Sequence, residues 1–357
     1  MSVPQNKRYT VEGMTYKSNV SLSDYSTMRL GGSAAYLAEI TNKSELREAL
    51  LWAQANKLPV IMIGSGSNIV WKDEGFQGLI LVNNILRYEV YEEDSTNFYV
   101  TIGAGENWDS AVARTVKDGL TGIEALSLVP GKAGATPIQN VGAYGQEISQ
   151  TLTTIEAYDI SLNNFVVIPA SDCGFGYRTS RFKTVDHGRF FITAITLHLV
   201  KGNPAPPFYA TLKTYLDANN ISEFTPTTIR DAVINIRSNK LPDPSAVNNV
   251  GSFFANPVVP TYKLTELMNN YDMVPHWEVD KEKVKLSAAW LIEQAGFKDF
   301  HDNETGMGTW PAQPLVLVNE HAKSTQDLLN FKKKIIDSVQ SKFGVELSQE
   351  PELLPSA

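Results

Sequence analysis

Cysteine is almost absent from this 357-residue chain, where Cys173 stands alone. A single thiol excludes an intramolecular disulfide framework and any cysteine-rich zinc or iron–sulfur centre. The five histidines (His187, His198, His276, His301 and His321) form neither an HExxH nor an HxxxH pair, so a zinc hydrolase is not expected and no metal is assigned. Positive charge is also scarce: 31 lysines and arginines face 39 acids, for a formal net charge of −8. That balance speaks against a general binder of nucleic acid or membrane surfaces, while leaving room for a local basic pocket for one anionic small molecule. No apolar run approaches the ~18 residues of a membrane span. The opening MSVPQNKRYT lacks the apolar core of a signal peptide. A soluble, cytoplasmic protein that does not bind membranes is the expectation.

Apolar residues make up 43% of the chain, enough for substantial cores, and the length allows two or three domains. The first 20 residues or so read as a loose lead-in. Asn42 stands three before Glu45, a capping-box spacing, and Leu46, Ala49, Leu50 and Ala53 follow at helical intervals. The helix should end near Lys57, with a buried strand over 59–63 running into Gly64. From Gly78 to about Val200 strands dominate (GLILVN, YEVYEE, FYVTIGAG, TIEAYDI, FVVIPA, FFITAITLHLV), interrupted by one clear helix from Asn107 to about Lys117. That proportion suggests α+β organisation. The proline-rich GNPAPPF is a plausible boundary. Helix-like patterns follow at 208–218, 227–239, 261–269, 287–295 and 325–343, with strands near 252–259 and 314–319. Three units are therefore expected, at 20–75, 76–202 and 203–357.

Two glycine-rich segments stand out. Gly64-Ser65-Gly66-Ser67-Asn68 follows a strand, but Ile69 replaces the third glycine of a dinucleotide fingerprint and no helix opens after it. With no GK[ST] either, what survives is a small-residue turn whose backbone N–H groups could cradle an anion, or simply a tight turn. The second segment, Pro130 to Gly145, holds four glycines and three alanines in sixteen positions. Such a stretch lets backbone approach a flat ligand closely, and Gln139 and Asn140 could serve its polar edges. Together the two loops suggest one long cofactor.

GSGSN, SLVPGKAGATPIQNVGAYGQE, FGYRTSRFK, KLPDPSAVNNVGSFFANPVV and AAWLIEQAGF, in that order, resemble the UDP-N-acetylenolpyruvoylglucosamine reductase family, from about Val20 to Glu352. The resemblance implies a two-subdomain FAD-binding fold of the vanillyl-alcohol-oxidase (PCMH-type) class plus a C-terminal α+β substrate domain. The segment ending in Phe208-Tyr209-Ala210 resembles the longer, type I form, whose tyrosine loop closes over the nucleotide. The implied reaction uses NADPH and FAD to reduce the enolpyruvyl ether of UDP-N-acetylglucosamine to UDP-N-acetylmuramate, a step of peptidoglycan precursor synthesis. Some relatives on this fold attach flavin through a histidine near the first loop. Ser67 lies in that loop here and neither glycine-rich segment holds histidine or cysteine, so non-covalent FAD is expected.

By the same resemblance, Arg178 is the catalytic arginine that grips the substrate carboxylate, a role suited to a planar guanidinium. Ser252, in GSFF, matches the proton donor, and Glu352 the third catalytic residue, which would share the carboxylate in its protonated form. Lys240, assisted by Arg237, suits the substrate diphosphate; Asn256 and Gln294 match polar substrate positions, and Tyr209 the uridine end. For FAD the carried-over residues are Gly64, Ser65, Gly66, Ser67 and Asn68, with Pro130, Gly131, Ala135, Gln139, Asn140, Gly142, Ala143 and Tyr144. Taken without the family, Arg178 is a turn arginine, Ser252 a hairpin serine and Glu352 a solvated acid. Two other readings stay open: a flavin-dependent alcohol or hydroxy-acid oxidase on the same fold, and a non-catalytic flavin or nucleotide-sugar binder. The oxidase would not require the lysine, serine and asparagine of KLPDPSAVNNVGSFFANP. A monomer is expected.

Overall fold

Asn42 caps its helix as its spacing requires: the side-chain oxygen accepts the Glu45 N–H at 2.9 Å. Glu45 reaches back one residue further than a capping box would, to the Thr41 N–H at 2.6 Å. In the computed structural model, which describes residues 8–11 and 13–356, the helix spans Lys43–Ala55 and buries Leu46, Ala49, Leu50 and Ala53. Lys57 then turns the chain at φ +55° into strand Val60–Ile63.

The described chain divides into two compact units. The first comprises the described residues up to 20, with 34–65 and 77–239. One of its sheets has five strands in the order Arg8–Val11, Met14–Ser21, Ser33–Ile40, Phe76–Asn83, Val60–Ile63. The last two run parallel, and the Lys43–Ala55 helix packs on Ala38, Ile40, Leu79 and Leu81. Of the expected loose lead-in, residues 1–7 and 12 lie outside the described residues, and Arg8–Val11 and Met14–Ser21 are instead strands of this sheet. Met14 and Tyr16 are buried, and Tyr16 stacks on Trp52 at 4.1 Å, burial that holds the segment in place.

The second sheet of this unit is antiparallel, ordered Asn164–Pro169, Leu152–Asp159, Phe190–Lys201, Asn97–Gly103, Tyr88–Glu92. Leu120–Thr121 pairs with the end of the Phe190–Lys201 strand. Helix Trp108–Lys117 lays Trp108, Ala111, Val112 and Val116 against this sheet's core. The two sheets meet where Tyr158 and Phe191 join the first sheet's cluster and Asn83 Nδ2 donates to the Ile192 carbonyl at 2.9 Å.

The proline-rich segment at 202–208 does not end this unit. Helices Ala210–Ala218 and Pro226–Lys240 follow it. Leu212, Leu216, Ile229, Ala232 and Val233 cluster with Ala125, with Tyr144 packed alongside. That apolar contact keeps residues 203–239 with the first unit, whereas the sequence pattern placed them with the C-terminal part.

The second unit comprises residues 21–33, 66–76 and 240–356. A four-stranded sheet runs Asn249–Ser252, Gln313–Asn319, Met307–Trp310, His301–Asp302, and a three-stranded one runs Val258–Pro260, Lys283–Leu286, His276–Glu278. The single strand expected near 252–259 is thus two, one in each sheet. Helix Thr325–Phe343 presents Leu328, Phe331, Ile335 and Val339, all fully buried, to a core that also takes in Met28, Leu30 and Val70. Strand Glu352–Leu354 pairs in parallel with Ile69–Trp71, with Glu352 opposite Ile69.

Candidate active site

In the first unit, the glycine-rich stretch at 130–145 is stitched down before it reaches any ligand. The N–H of Trp108 donates to the Gly131 carbonyl, while Ala133 and Gly134 donate to the carbonyls of Glu106 and Ala104. Gly134 lies so flat that an added Cβ would stand 2.5 Å from Ala104 Cβ. Farther on, Gly142–Ala143 pairs with Gln146–Glu147. Tyr144 (φ +48°) and Gly145 (φ +87°) form the hairpin tip, both left-handed as a tight two-residue turn demands.

The polar side chains of this stretch point inward. Asn140 is 2% exposed, donates from Nδ2 to Glu147 Oε2 (2.8 Å) and the Gly176 carbonyl (3.2 Å), and accepts the Ser149 N–H (3.1 Å). Gln139 Oε1 accepts from Lys183 Nζ at 3.1 Å. What remains accessible at Gly131, Ala135, Gly142 and Ala143 is backbone and methyl groups.

The Arg178 turn is tied to the same stretch. Gly176 and Thr179 exchange backbone bonds, leaving Tyr177 and Arg178 at the apex with Arg178 at φ +53°. Left-handed backbone at a non-glycine residue is strained, and such strain concentrates at functional sites. Arg178 Nη2 donates to the Gly142 carbonyl at 3.1 Å, and Ser180 Oγ to the Ile138 carbonyl at 2.6 Å. Cys173, at the foot of this turn, is fully buried and its thiol is pushed up to about 11 by burial, as befits a packing residue.

Tyr144 meets Tyr209 edge to face at 6.2 Å, and Tyr209 stands at the start of helix Ala210–Ala218. Burial raises the Tyr144 hydroxyl, and nearby Arg237 opposes the shift. Arg237 has a buried Nε with no hydrogen-bond partner among the described residues, and its burial lowers the guanidinium pKa against the opposing pull of Tyr144. A buried, unanswered donor of this kind asks for an anion or an acceptor. Lys240 ends the same helix one turn later, exposed at the helix end, its ammonium lowered by partial desolvation. Arg178, Gly142, Tyr144, Tyr209 and Arg237 are therefore brought together in this unit.

In the second unit, Ser252 ends strand Asn249–Ser252 after a bulge. Gly251 takes φ +74° there, and its N–H is held by Asn249 Oδ1 at 2.8 Å. Phe253 and Phe254 behind it are fully buried. The Phe253 carbonyl accepts the Glu350 N–H at 2.9 Å, and the Ala255 N–H donates to Ser348 at 3.0 Å. The segment ending in Glu352 is thereby laid beside the serine strand. Glu352 in turn donates its N–H to the Asn68 carbonyl at 3.0 Å.

Gly66 explains why that first loop needs glycine: its φ is +75°, and a Cβ would sit 2.1 Å from the Tyr25 carbonyl oxygen. The short strand Ile69–Trp71 follows it, not a helix, which bears out the rejection of a dinucleotide fingerprint. Asn256 and Gln294 are not neighbours. Asn256 Oδ1 accepts the Ala288 N–H at 2.9 Å at the start of helix Ala288–Gln294, whereas Gln294 lies at its other end, its carbonyl bonded by Lys342 Nζ.

Sequence reasoning missed an ion pair that supports the glycine-rich stretch. Arg230 donates to both oxygens of Asp109 at 2.6 and 2.9 Å and to Ser127 Oγ at 2.8 Å, while Asp109 Oδ1 also accepts the Leu128 N–H. The partners lie 121 residues apart, and no local pattern marks either one.

The loop surfaces fit FAD: small residues where a flat ring must approach, and glycine turns beside them. Residues 34–162 match the model of an FAD-binding domain, and residues 243–354 that of the C-terminal domain of UDP-N-acetylenolpyruvoylglucosamine reductase. The UDP-N-acetylenolpyruvoylglucosamine reductase of Ralstonia nicotianae is 39% identical over 333 residues, covering 92% of this chain and 96% of that one. The chain belongs to the UDP-N-acetylenolpyruvoylglucosamine reductase family. The reductase of Thermobifida fusca is 36% identical, covering 95% of this chain and 98% of its own. The crystal structure of the Thermus caldophilus reductase shares the fold, with a TM-score of 0.66 at 22% identity over 96% of this chain and all of that one. Members of the reductase family are FAD-dependent oxidoreductases, and so is this protein. Among the described residues no helix is long and apolar enough to cross a membrane.

Proposed function

We propose that this chain reduces UDP-N-acetyl-3-O-(1-carboxyvinyl)-glucosamine to UDP-N-acetylmuramate in peptidoglycan precursor synthesis, with NADPH as reductant and FAD held without a covalent bond. Bound FAD supplies the two-electron chemistry. The residues of the chain then have three tasks: hold the carboxylate, place a proton, and anchor the nucleotide.

Arg178 grips the substrate carboxylate and stabilises the negative charge that builds beside it during reduction. Its turn supports that role, because a strained φ and the bond to Gly142 pre-set the guanidinium against the flavin stretch. Ser252 holds a proton at Oγ for the carbon next to that carboxylate. A hydroxyl is a weak acid, so it works only at short range against a strongly basic carbon. Glu352 completes the set of groups around that carboxylate. Arg237 and Lys240, one helical turn apart, take the diphosphate, with Asn256 and Gln294 as further polar contacts and Tyr209 at the uridine end. Gly64–Asn68, Pro130, Gly131, Ala135 and Gly142–Tyr144 line the flavin, with Gln139 and Asn140 bracing the stretch from behind through their inward-turned side chains. The cytoplasm is the compartment, and the monomer the working form.

The bond from Arg178 to Gly142 carries this reading, since it joins the carboxylate-gripping cation to the flavin stretch. The test is NADPH oxidation by a flavin-containing preparation, which should require the enolpyruvyl nucleotide sugar. Turnover with oxygen and an alcohol alone would favour an oxidase; flavin uptake without either turnover would mark a silent binder.

A further inference from the structure

Lys132 is a lone charge among glycines and alanines, and the chemistry above gives it no task. Its stem lies across Gly64 of the first small-residue loop: a Cβ built there would be 3.4 Å from Lys132 Cβ and 3.7 Å from Cγ and Cδ. Its ammonium donates to the Asn83 carbonyl and to Asn84 Oδ1, both at 2.5 Å, where strand Phe76–Asn83 ends. Asn84 is itself held, through its N–H to the Ile40 carbonyl (2.7 Å) and through Nδ2 to Glu39 Oε2 (3.2 Å). On its backbone side Lys132 is bridged to Asn107. Three distant stretches of chain therefore meet on one half-buried side chain. Burial lowers its pKa, and Glu39 partly offsets the shift.

We infer that Lys132 is a positioning residue for FAD, a clasp that fixes the spacing between the first loop at Gly64 and the second at Gly131–Tyr144 so that one extended dinucleotide engages both. The inference rests on the FAD reading and adds to it a residue that acts through Asn83, Asn84 and Gly64 without touching the cofactor.

The test is FAD titration of flavin-free full-length chain, followed by quenching of flavin fluorescence, with the melting temperature of the flavin-free protein measured alongside. Lys132→Met keeps the stem and removes the ammonium; it should weaken FAD binding by about 10- to 100-fold, the range that one or two lost charge-assisted hydrogen bonds span. Asn84→Ala should weaken it in the same direction, and the double variant should add little to Lys132→Met. Lys132→Arg, which restores a donor, should recover part of the affinity and the absorption spectrum of the bound flavin. If Lys132→Met weakens binding but Asn84→Ala does not, the ammonium acts on FAD itself and the clasp is overturned. It is also overturned if Lys132→Met only lowers the melting temperature and leaves affinity unchanged. A wild-type chain that takes up no FAD would overturn the cofactor reading and the clasp with it.

Discussion

The Arg178 turn and the Ser252 strand are built by different physics. Arg178 sits in a stretch held by side chains reaching to backbone: Asn140 to Gly176, Arg178 to Gly142, Ser180 to Ile138. Its residues lean on left-handed conformations at Asn140, Tyr144 and Arg178. Ser252 is held by backbone pairing to residues 348–350 and 315–316 over two buried phenylalanines. The first arrangement shapes a surface of backbone and small residues at the cost of strain. The second is a piece of core with a hydroxyl at its margin, so the two should fail differently when cut.

The largest effect should come from Phe253→Ala. Emptying a fully buried site costs about 3–5 kcal/mol, read as a large fall in melting temperature and in folded yield. A comparable loss from Gly142→Ala would break the comparison, because that glycine lies outside any apolar core and its added Cβ would press mainly on the Glu147 side chain at 2.8 Å.

Next comes Ser252→Ala, which removes the hydroxyl and leaves Phe253 in place. Bleaching of the flavin by NADPH should persist, while reoxidation by the enolpyruvyl substrate slows by ~10²-fold or more. Equal loss of both half-reactions would reject the division of labour.

Asp109→Asn probes the frame of the other region. Burial pushes the Asp109 carboxyl up, but the Arg230 guanidinium and the Leu128 N–H outweigh it and hold it below the usual carboxylate range. A carboxyl depressed on folding contributes stability that is present above its unfolded pKa, near pH 4. That contribution is lost as pH falls through the lower folded value. The variant should lose about 2 kcal/mol at neutral pH and show a shallower acid limb in denaturation followed from pH 6 to pH 2.

The smallest effect belongs to Lys240→Ala. Its KM for the nucleotide sugar should rise about tenfold with kcat nearly kept, as for an interaction made equally in ground and transition states. FAD content should stay normal, and loss of flavin would move Lys240 from substrate to cofactor.

What the sequence made legible was local. Asn42 and its buried stripe announced a helix, and Leu328, Phe331, Ile335 and Val339 announced another, because capping and 3.6-residue periodicity are written within one turn or two. The candidate site was legible through motif order, since composition alone left Arg178, Ser252 and Glu352 as ordinary turn and surface residues. What stayed hidden was non-local. Glu352 opposite Ile69, Arg230 on Asp109 and the Lys132 stem over Gly64 join distant residues with no periodic signature. The break after Lys201 misled for the same reason: prolines mark a loop, but what the next helices pack against, here Ala125 and Tyr144, is set by side chains far upstream.

The interleaving of the second unit constrains how this protein can be made. Met28, Leu30 and Val70 leave the ribosome long before the helices and strands of 240–356 that complete their core. Strand Ile69–Trp71 likewise waits for Glu352–Leu354, the last strand of the chain. The first unit, by contrast, has every segment it needs once residue 239 has emerged. A nascent chain therefore carries two sticky apolar segments through most of its synthesis, and a fragment beginning at residue 240 would be born with holes where those segments belong.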